Sequence, residues 1–120
     1  MWVRDLIVTY GYTILNTGRA KEAYKLDRYE EYLLHYGDYH FIRGLLYMEN
    51  GKFQIAVQSF LKATECLSCT KEGVNDYLAF YNAGIIMECL GEREKAREYY
   101  ACCGEYSLAK KRLAELMLYP

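Results

Sequence analysis

Residues 44–63 read GLLYMENGKFQIAVQSFLKA, and this stretch decides the fold. Gly51 lies seven residues after Gly44, and Ala56 lies five residues after Gly51. On both sides of Gly51 the apolar residues recur at three- and four-residue spacing, which predicts two amphipathic helices. A glycine between them supplies the left-handed C-cap that a tight helix–helix turn needs. The stretch therefore predicts a helix, a short turn and a second helix.

The same spacing occurs twice more in the chain. Both further sets keep the order glycine, glycine, alanine with the same gaps: Gly11, Gly18 and Ala23, and then Gly84, Gly91 and Ala96. The first set lies 33 residues before the central one, and the last set lies 40 residues after it. Three features that shift together indicate a repeated two-helix unit, which buries its apolar face by stacking on its neighbours.

The repeat predicts an all-α chain with a single domain over residues 1–120. The expected units cover about 4–36, 37–70 and 77–106. The helices are expected at about 2–16, 19–34, 38–49, 53–67, 74–90, 93–103 and 106–118. Small and polar residues from Ser68 to Asn75 indicate a longer loop before the third unit.

The last predicted helix, residues 106–118, is expected to close the stack because its apolar residues share one face. The chain then finishes on the apolar run Leu116-Met117-Leu118-Tyr119, whereas complete solenoids normally end in polar caps. A helix is also predicted to start almost immediately after Met1. Both ends therefore fit a piece of a longer protein.

Composition excludes several classes of protein. Lys and Arg number 15 against 16 Asp and Glu, so the net charge of −1 argues against a nucleic-acid binder. No apolar stretch approaches the roughly 18 residues of a membrane span, and the acid in Met1-Trp2-Val3-Arg4-Asp5 argues against a secretory signal. Five cysteines are an odd number for a secreted disulfide scaffold, so reduced thiols in the cytoplasm are expected.

The units resemble the tetratricopeptide repeat (TPR) family, whose pattern is W-x2-L-G-x2-Y, then A-x3-F, then A and P. The residues that carry this resemblance are Gly44-Leu45-Leu46-Tyr47, Gly51, Ala56, Phe60 and Ala63 in unit two, and Ala83–Met87, Gly91, Ala96 and Tyr100 in unit three. The resemblance implies a right-handed superhelix. Unit one departs from the pattern, because Asp27 and Glu30 stand where apolar residues belong, so its second helix is expected to pack irregularly.

A narrower resemblance concerns residues 72–91 and 99–113, which are similar to the TPR regions that follow bacterial family 2 glycosyltransferase domains. In that family an Asp-x-Asp pair holds the metal and the nucleotide sugar. Aspartate occurs here only at positions 5, 27, 38 and 76, so the pair is absent from the sequence. The resemblance therefore implies a non-catalytic appendage of a bacterial glycosyltransferase, which is not itself an enzyme and needs no cofactor.

The first helix of each unit lines the inner surface of a TPR stack. The side chains expected there are Tyr12, Leu15, Asn16, Asp38, Phe41, Leu45, Met48, Glu49, Leu78, Tyr81, Asn82, Ile85, Glu88 and Cys89. Such a mixture of aromatic, aliphatic and amide groups suits a peptide or helix of a partner protein. Alternatively, the apolar members pack against the closing helix or a neighbouring repeat. None of these positions is Lys or Arg, which argues against a clamp for a C-terminal carboxylate.

Such a scaffold is expected either to position an acceptor protein or to self-associate into a homodimer through its apolar end or its groove. Two alternatives to the scaffold stay open. Cys66 and Cys69 have the C-x-x-C spacing of zinc ligands or redox couples, although no second pair repeats it and no preceding strand is predicted. Direct contact with the acceptor of a parent glycosyltransferase is the second alternative.

Overall fold

The computed structural model describes residues 2–118, and all of its regular elements are helical. The helices are α1 (Val3–Asn16), a 3₁₀ segment (Ala20–Tyr29), α2 (Gly37–Glu49), α3 (Phe53–Glu65), α4 (Tyr77–Cys89), α5 (Arg93–Ala101) and α6 (Ser107–Leu118). The predicted all-α helical repeat fold is therefore confirmed, while the right-handed superhelix stays a prediction. Tyr119, which we assigned to the apolar finish, lies outside the described residues.

The elements stack in the order in which they occur along the chain. Helix α1 packs against the 3₁₀ segment, α2 against α3, and α4 against α5. Successive pairs join through contacts of α2 with α1 and the 3₁₀ segment, and of α4 with α3, while α6 packs on α5. The resulting body is elongated, with principal extents of 46 × 27 × 22 Å.

Each helix pair is joined by a short turn that contains a glycine. Gly51 has φ +74°, which side-chain-bearing residues rarely adopt. The amide of Lys52 donates a hydrogen bond to the Tyr47 carbonyl over 2.9 Å and closes the end of α2. This is the left-handed cap that the sequence predicted.

Inside units two and three, a helix glycine lies against the face of an aromatic ring. A Cβ atom added to Gly44 would lie 2.6–2.8 Å from three neighbouring ring atoms of Phe60. A Cβ atom at Gly84 would lie 2.6 Å from the nearest ring atom of Tyr100. Three adjacent ring atoms at nearly equal distance place Gly44 over the ring face, since an approach to the edge would favour one atom. The glycines therefore set how closely the paired helices approach.

In unit one, the space beside the helix glycine is filled by aliphatic side chains instead of an aromatic ring. Its second helix is a 3₁₀ segment that ends at Tyr29 and is followed by turns, where the sequence predicted a helix to residue 34. A 3₁₀ helix has three residues per turn, so residues i and i+3 share a face. A Cβ atom added to Gly11 would lie 2.8 Å from Ile42 of α2 and 3.2 Å from Leu26. Leu26 stands three positions after Ala23, whereas Phe60 and Tyr100 lie four positions after their alanines. The expected irregularity of this helix is confirmed.

Asp27, displaced from the core by this change, takes part in an ion-pair network. The Arg43 guanidinium, on α2, donates to Asp27 over 2.8 Å and to Glu30 over 3.2 Å. The Tyr47 hydroxyl also donates to Asp27 over 2.8 Å, and the Lys62 ammonium reaches Glu30 over 2.9 Å. Because only 9% of the Arg43 side chain is exposed, its charge depends on these acceptors.

The longer loop between α3 and α4, residues 66–76, is fastened to α2. The carboxylate of Asp38, which is 2% exposed, accepts the backbone amides of Thr70 over 2.8 Å and Lys71 over 3.1 Å. The hydroxyls of Tyr36 and Thr70 lie 2.6 Å apart. A buried carboxylate that accepts two amides holds this loop in a fixed place.

The network predicts strong coupling between Asp27 and Arg43. We expect Asp27→Ala to lower the free energy of unfolding by about 1–3 kcal/mol, because it leaves the buried Arg43 charge with one partner fewer. In the background of Arg43→Leu, Asp27→Ala should lower the free energy of unfolding by less than it does in the unsubstituted chain. The difference should be at least about 1 kcal/mol, because no buried charge remains. Urea unfolding of the four proteins in the double-mutant cycle measures this coupling.

Lys62→Ala is the matched control for the Asp27–Arg43 cycle, since it removes an ion pair of the same network whose side chains are 48% and 35% exposed. Its expected cost is below about 0.5 kcal/mol. Additive effects of the Asp27 and Arg43 substitutions would contradict the assigned coupling.

Candidate partner-binding surface

The first helices of the three units carry equivalent residues in one register. We call them the first-helix stripe: Val8, Tyr12 and Leu15 in α1, Phe41, Leu45 and Met48 in α2, and Tyr81, Ile85 and Glu88 in α4. The spacing i, i+4, i+7 places each set on one helix face. The second and third members are half-buried in every unit. Side chains at these positions therefore keep accessible area although the helices around them are stacked.

In unit one the structure places a cation against the stripe. The Lys71 ammonium lies 4.1 Å from the centre of the Tyr12 ring, within the range of a cation–π contact. Burial, with the Asp38 charge second, raises the pKa of Tyr12 to about 12, so its hydroxyl stays neutral at physiological pH. Leu15 beside it is half-buried, and Asn16 at the end of α1 is exposed.

In unit two the candidate residues differ in how far they are buried. Phe41 is 6% exposed and its ring packs edge-on against Phe60, with centroids 5.5 Å apart. Leu45 and Met48 pack against the same core but are half-buried. Phe41 thus packs in the core beneath the stripe, while Leu45 and Met48 keep solvent-accessible area. Of the remaining candidates here, Asp38 is buried on the loop amides and Glu49 is exposed.

In unit three the stripe meets the end of the stack. The Tyr81 ring contacts Tyr100 and Tyr106, with centroids 6.0 and 5.3 Å away. The Glu88 carboxylate accepts the Tyr100 hydroxyl over 2.8 Å and pairs with Arg112 of α6. The Arg112 guanidinium, together with Tyr100, holds the pKa of Glu88 below its usual range.

The other candidates of α4 lie around these contacts. Ile85 and Leu78 are half-buried, and Cys89 is exposed. The Asn82 amide donates to the Leu78 carbonyl one turn earlier over 2.8 Å. At this end, Tyr100, Tyr106 and Arg112 therefore compete with any partner for Tyr81 and Glu88.

The sequence analysis missed two cations that border the surface. Lys71 comes from the loop between units and Arg112 from the closing helix, so neither occupies a first-helix position. Positions in the repeat predict which first-helix side chains line the surface, but they do not predict side chains that reach it from loops or from α6. The one signal available was the loop length, which allowed residues 68–75 to fold back over α1.

The two cysteines of the C-x-x-C spacing lie on and after the end of α3. The Cys66 thiol donates to the Lys62 carbonyl over 3.3 Å, and burial raises the pKa of both Cys66 and Cys69. A raised pKa keeps these thiols protonated at neutral pH, whereas zinc ligands and redox nucleophiles act as thiolates. Within residues 2–118 no three His, Cys, Asp or Glu side chains are grouped so that they could hold a metal ion.

Two surface depressions, of about 710 and 340 Å³, are lined by residues outside the stripe. The first is at the turn edge of units one and two and is lined by Tyr24, Asp27, Tyr47 and Ile55, among others. A second, of about 340 Å³, lies at the start of α1 between Trp2, Arg4 and Tyr36. The repeat register singled out neither, because both form between helix ends.

No protein-family model matches this chain, and no curated protein matches it significantly. Among the described residues, no helix is both long and apolar enough to cross a bilayer.

His40, which does not belong to the first-helix stripe, is a buried titratable group of α2. It is fully buried on α2, and its Nε2 lies 2.7 Å from the Leu34 carbonyl, which fixes Nε2 as the protonated nitrogen. Its Nδ1 is buried without a partner among the described residues. Burial lowers the pKa of His40 below 6.5 and outweighs the hydrogen bond to the Leu34 carbonyl, which raises it. The charges of Arg43 and Lys62 lower the pKa further, and that of Glu30 opposes them.

The lowered pKa of His40 predicts loss of stability in mild acid. Between the pKa of the folded state and 6.5 the unfolded chain binds more protons, so the free energy of unfolding falls as the pH drops below about 6.5. His40→Gln keeps a donor for Leu34 and should flatten the stability difference between pH 7.5 and 5.5, measured by urea unfolding. His35→Gln is the control and should leave that difference unchanged. An unchanged pH dependence in His40→Gln would show that His40 does not cause it.

Proposed function

We propose that this chain is a non-catalytic protein-interaction module that binds a peptide or protein segment along the first-helix stripe. The observation that carries the proposal is the shared register. Tyr12, Leu45 and Ile85 stand at equivalent positions of three stacked helices and are all half-buried. A row of aliphatic and aromatic side chains with accessible area offers affinity, and the flanking Lys71 and Arg112 offer polar contacts at its ends.

His40, Cys66 and Cys103 are engaged in hydrogen bonds within the fold, which favours a binding role over chemistry at these groups. The buried His40 contacts a carbonyl, and the thiols of Cys66 and Cys103 donate to backbone carbonyls. Burial raises the pKa of Cys103 to about 12, which removes it as a nucleophile at neutral pH. We therefore favour binding over thiol chemistry, and we place the module in the reducing cytoplasm because its five cysteines are free.

The proposal extends to the parent protein. We infer from the sequence resemblance that the module is a TPR region attached to a bacterial glycosyltransferase. In that arrangement the stripe would position an acceptor protein for the catalytic domain. This part rests on the motifs of residues 72–91 and 99–113 alone. An Asp-x-Asp domain encoded upstream in the gene would support it.

Selection from a random peptide library on the immobilised chain tests the binding role. Enriched peptides should bind the unsubstituted chain and lose at least about tenfold in affinity when Leu45→Asp or Ile85→Asp places a charge in the stripe. Both residues are half-buried, so unfolding curves first establish that each variant folds. Isothermal titration calorimetry measures the affinities.

Gln58→Asp, at an exposed site of α3, is the matched control of equal charge and should leave peptide affinity within about twofold. If no peptide is enriched, or if enriched peptides ignore both stripe variants, the proposed function is wrong.

A further inference from the structure

Helix α6 repeats the buried pattern of α4 at an offset of 30 residues. Ala79, Ala83 and Ile86 of α4 are at most 1% exposed. Their counterparts in α6 are Ala109 at 0%, the half-buried Leu113 and Leu116 at 4%. Helix α6 therefore sits on the stack as the first helix of a further unit would.

The first helices of complete units are covered on a second face as well. In unit two Phe60 of α3 covers Gly44, and in unit three Tyr100 of α5 covers Gly84. The residue of α6 equivalent to Gly84 is Ala114, which is exposed. At about 100° per residue, Ala114 lies about 140° around the helix from Ala109 and about 160° from Leu116, so the face around Ala114 points away from the buried residues of α6.

We call Lys111, Ala114, Met117 and Leu118 the outer face of α6. Met117 is 66% and Leu118 71% exposed, although both are large apolar residues. Lys111 forms no ion pair with any of residues 2–118, whereas its neighbour Lys110 pairs with Glu105 over 2.7 Å. The outer face is thus apolar toward the end of α6 and positively charged toward its start.

The complete units show how such a face is covered. The second helix runs antiparallel to the first: the Glu92 amide donates to the Met87 carbonyl at one end of the α4–α5 pair, and the Cys103 thiol donates to the Tyr77 carbonyl at the other. A helix placed likewise on α6 would begin near Met117 and Leu118 and finish near Lys111. It would set a bulky side chain over Ala114 and a carboxylate one turn later, opposite Lys111.

We propose that the outer face of α6 binds an amphipathic helix of a partner protein, antiparallel to α6. The helix has a bulky aliphatic residue facing Ala114 and a carboxylate near its C-terminal end facing Lys111. Ala114 carries the methyl group that Gly44 and Gly84 lack, so leucine fits better there than the phenyl ring of Phe60. This surface is separate from the first-helix stripe, and its occupation does not depend on the proposed function.

Charge favours another protein over a second copy of this chain. A second copy stacked end to end on α6 would offer α1, which exposes Trp2, Val3 and Leu6. Its one carboxylate, Asp5, lies in its first turn. Antiparallel docking brings the other end of α1 to Lys111, so the copy leaves that charge unpaired.

The probe is a synthetic peptide with the sequence of residues 51–66, which contains α3, carrying Phe60→Leu and Thr64→Glu. These two changes supply the aliphatic residue for Ala114 and the carboxylate for Lys111. Titration calorimetry with the full chain should give a one-to-one complex. Ala114→Phe should weaken it at least about tenfold, because the ring blocks the close approach of the helix.

Leu108→Phe is the matched control, since it adds a ring on the flank of α6 at a residue that is already 49% exposed. It should change the affinity by less than about twofold. Lys111→Glu should weaken the complex, and a peptide carrying Thr64→Lys should recover affinity for that variant.

Three results would overturn the proposal: no complex at millimolar peptide, equal affinity for Ala114→Phe, or a dimer of the unsubstituted chain that Ala114→Phe dissociates. The third, seen by light scattering, would assign the outer face to a second copy. Because Leu45 packs in the core of units one and two, away from α6, the stripe variant Leu45→Asp should bind the probe normally even if the proposed function fails.

Discussion

The contact between a helix glycine and the face of an aromatic ring is the constraint on which the other contacts of units two and three depend. With no Cβ at Gly44 or Gly84, the backbones of paired helices come within reach of Phe60 and Tyr100, whose rings fill the space between them. This close approach brings the core alanines Ala56 and Ala96 to complete burial. It also fixes the angle at which the next unit stacks, and so the row of half-buried side chains on the first helices.

Unit one shows what happens when the sequence departs from this arrangement. A charged residue four positions after Ala23 could not fill the gap, and the 3₁₀ segment brings Leu26 to it. Asp27 then faces α2 and meets Arg43, which stands directly before Gly44, where the pattern W-x2-L-G-x2-Y has leucine. The three departures from the sequence pattern, Asp27, Glu30 and Arg43, are therefore partners in one network, which joins units one and two by charge.

The sequence predicted the helix pairs because their signals are local: helical periodicity, a glycine cap and a fixed register. The sequence did not predict the 3₁₀ segment, since the choice of Leu26 depends on Gly11 and Ile42, which lie 15 and 16 residues away along the chain. Nor did it place Lys71 against Tyr12, because that contact requires Asp38 to hold the loop amides. Register counts also gave no sign that Glu88 binds Arg112 of α6.

Proton NMR shifts of the glycine Hα atoms test the central packing claim most directly. Protons above an aromatic ring face are shielded by its ring current. The Hα resonances of Gly44 and Gly84 should therefore move upfield of their unfolded positions, whereas Gly18 and Gly91, with no neighbouring atom within 4 Å of an added Cβ, should not. Replacement of Phe60 by Leu should return the Gly44 resonances alone to ordinary values. Unshifted Gly44 and Gly84 resonances in the folded chain would contradict the account.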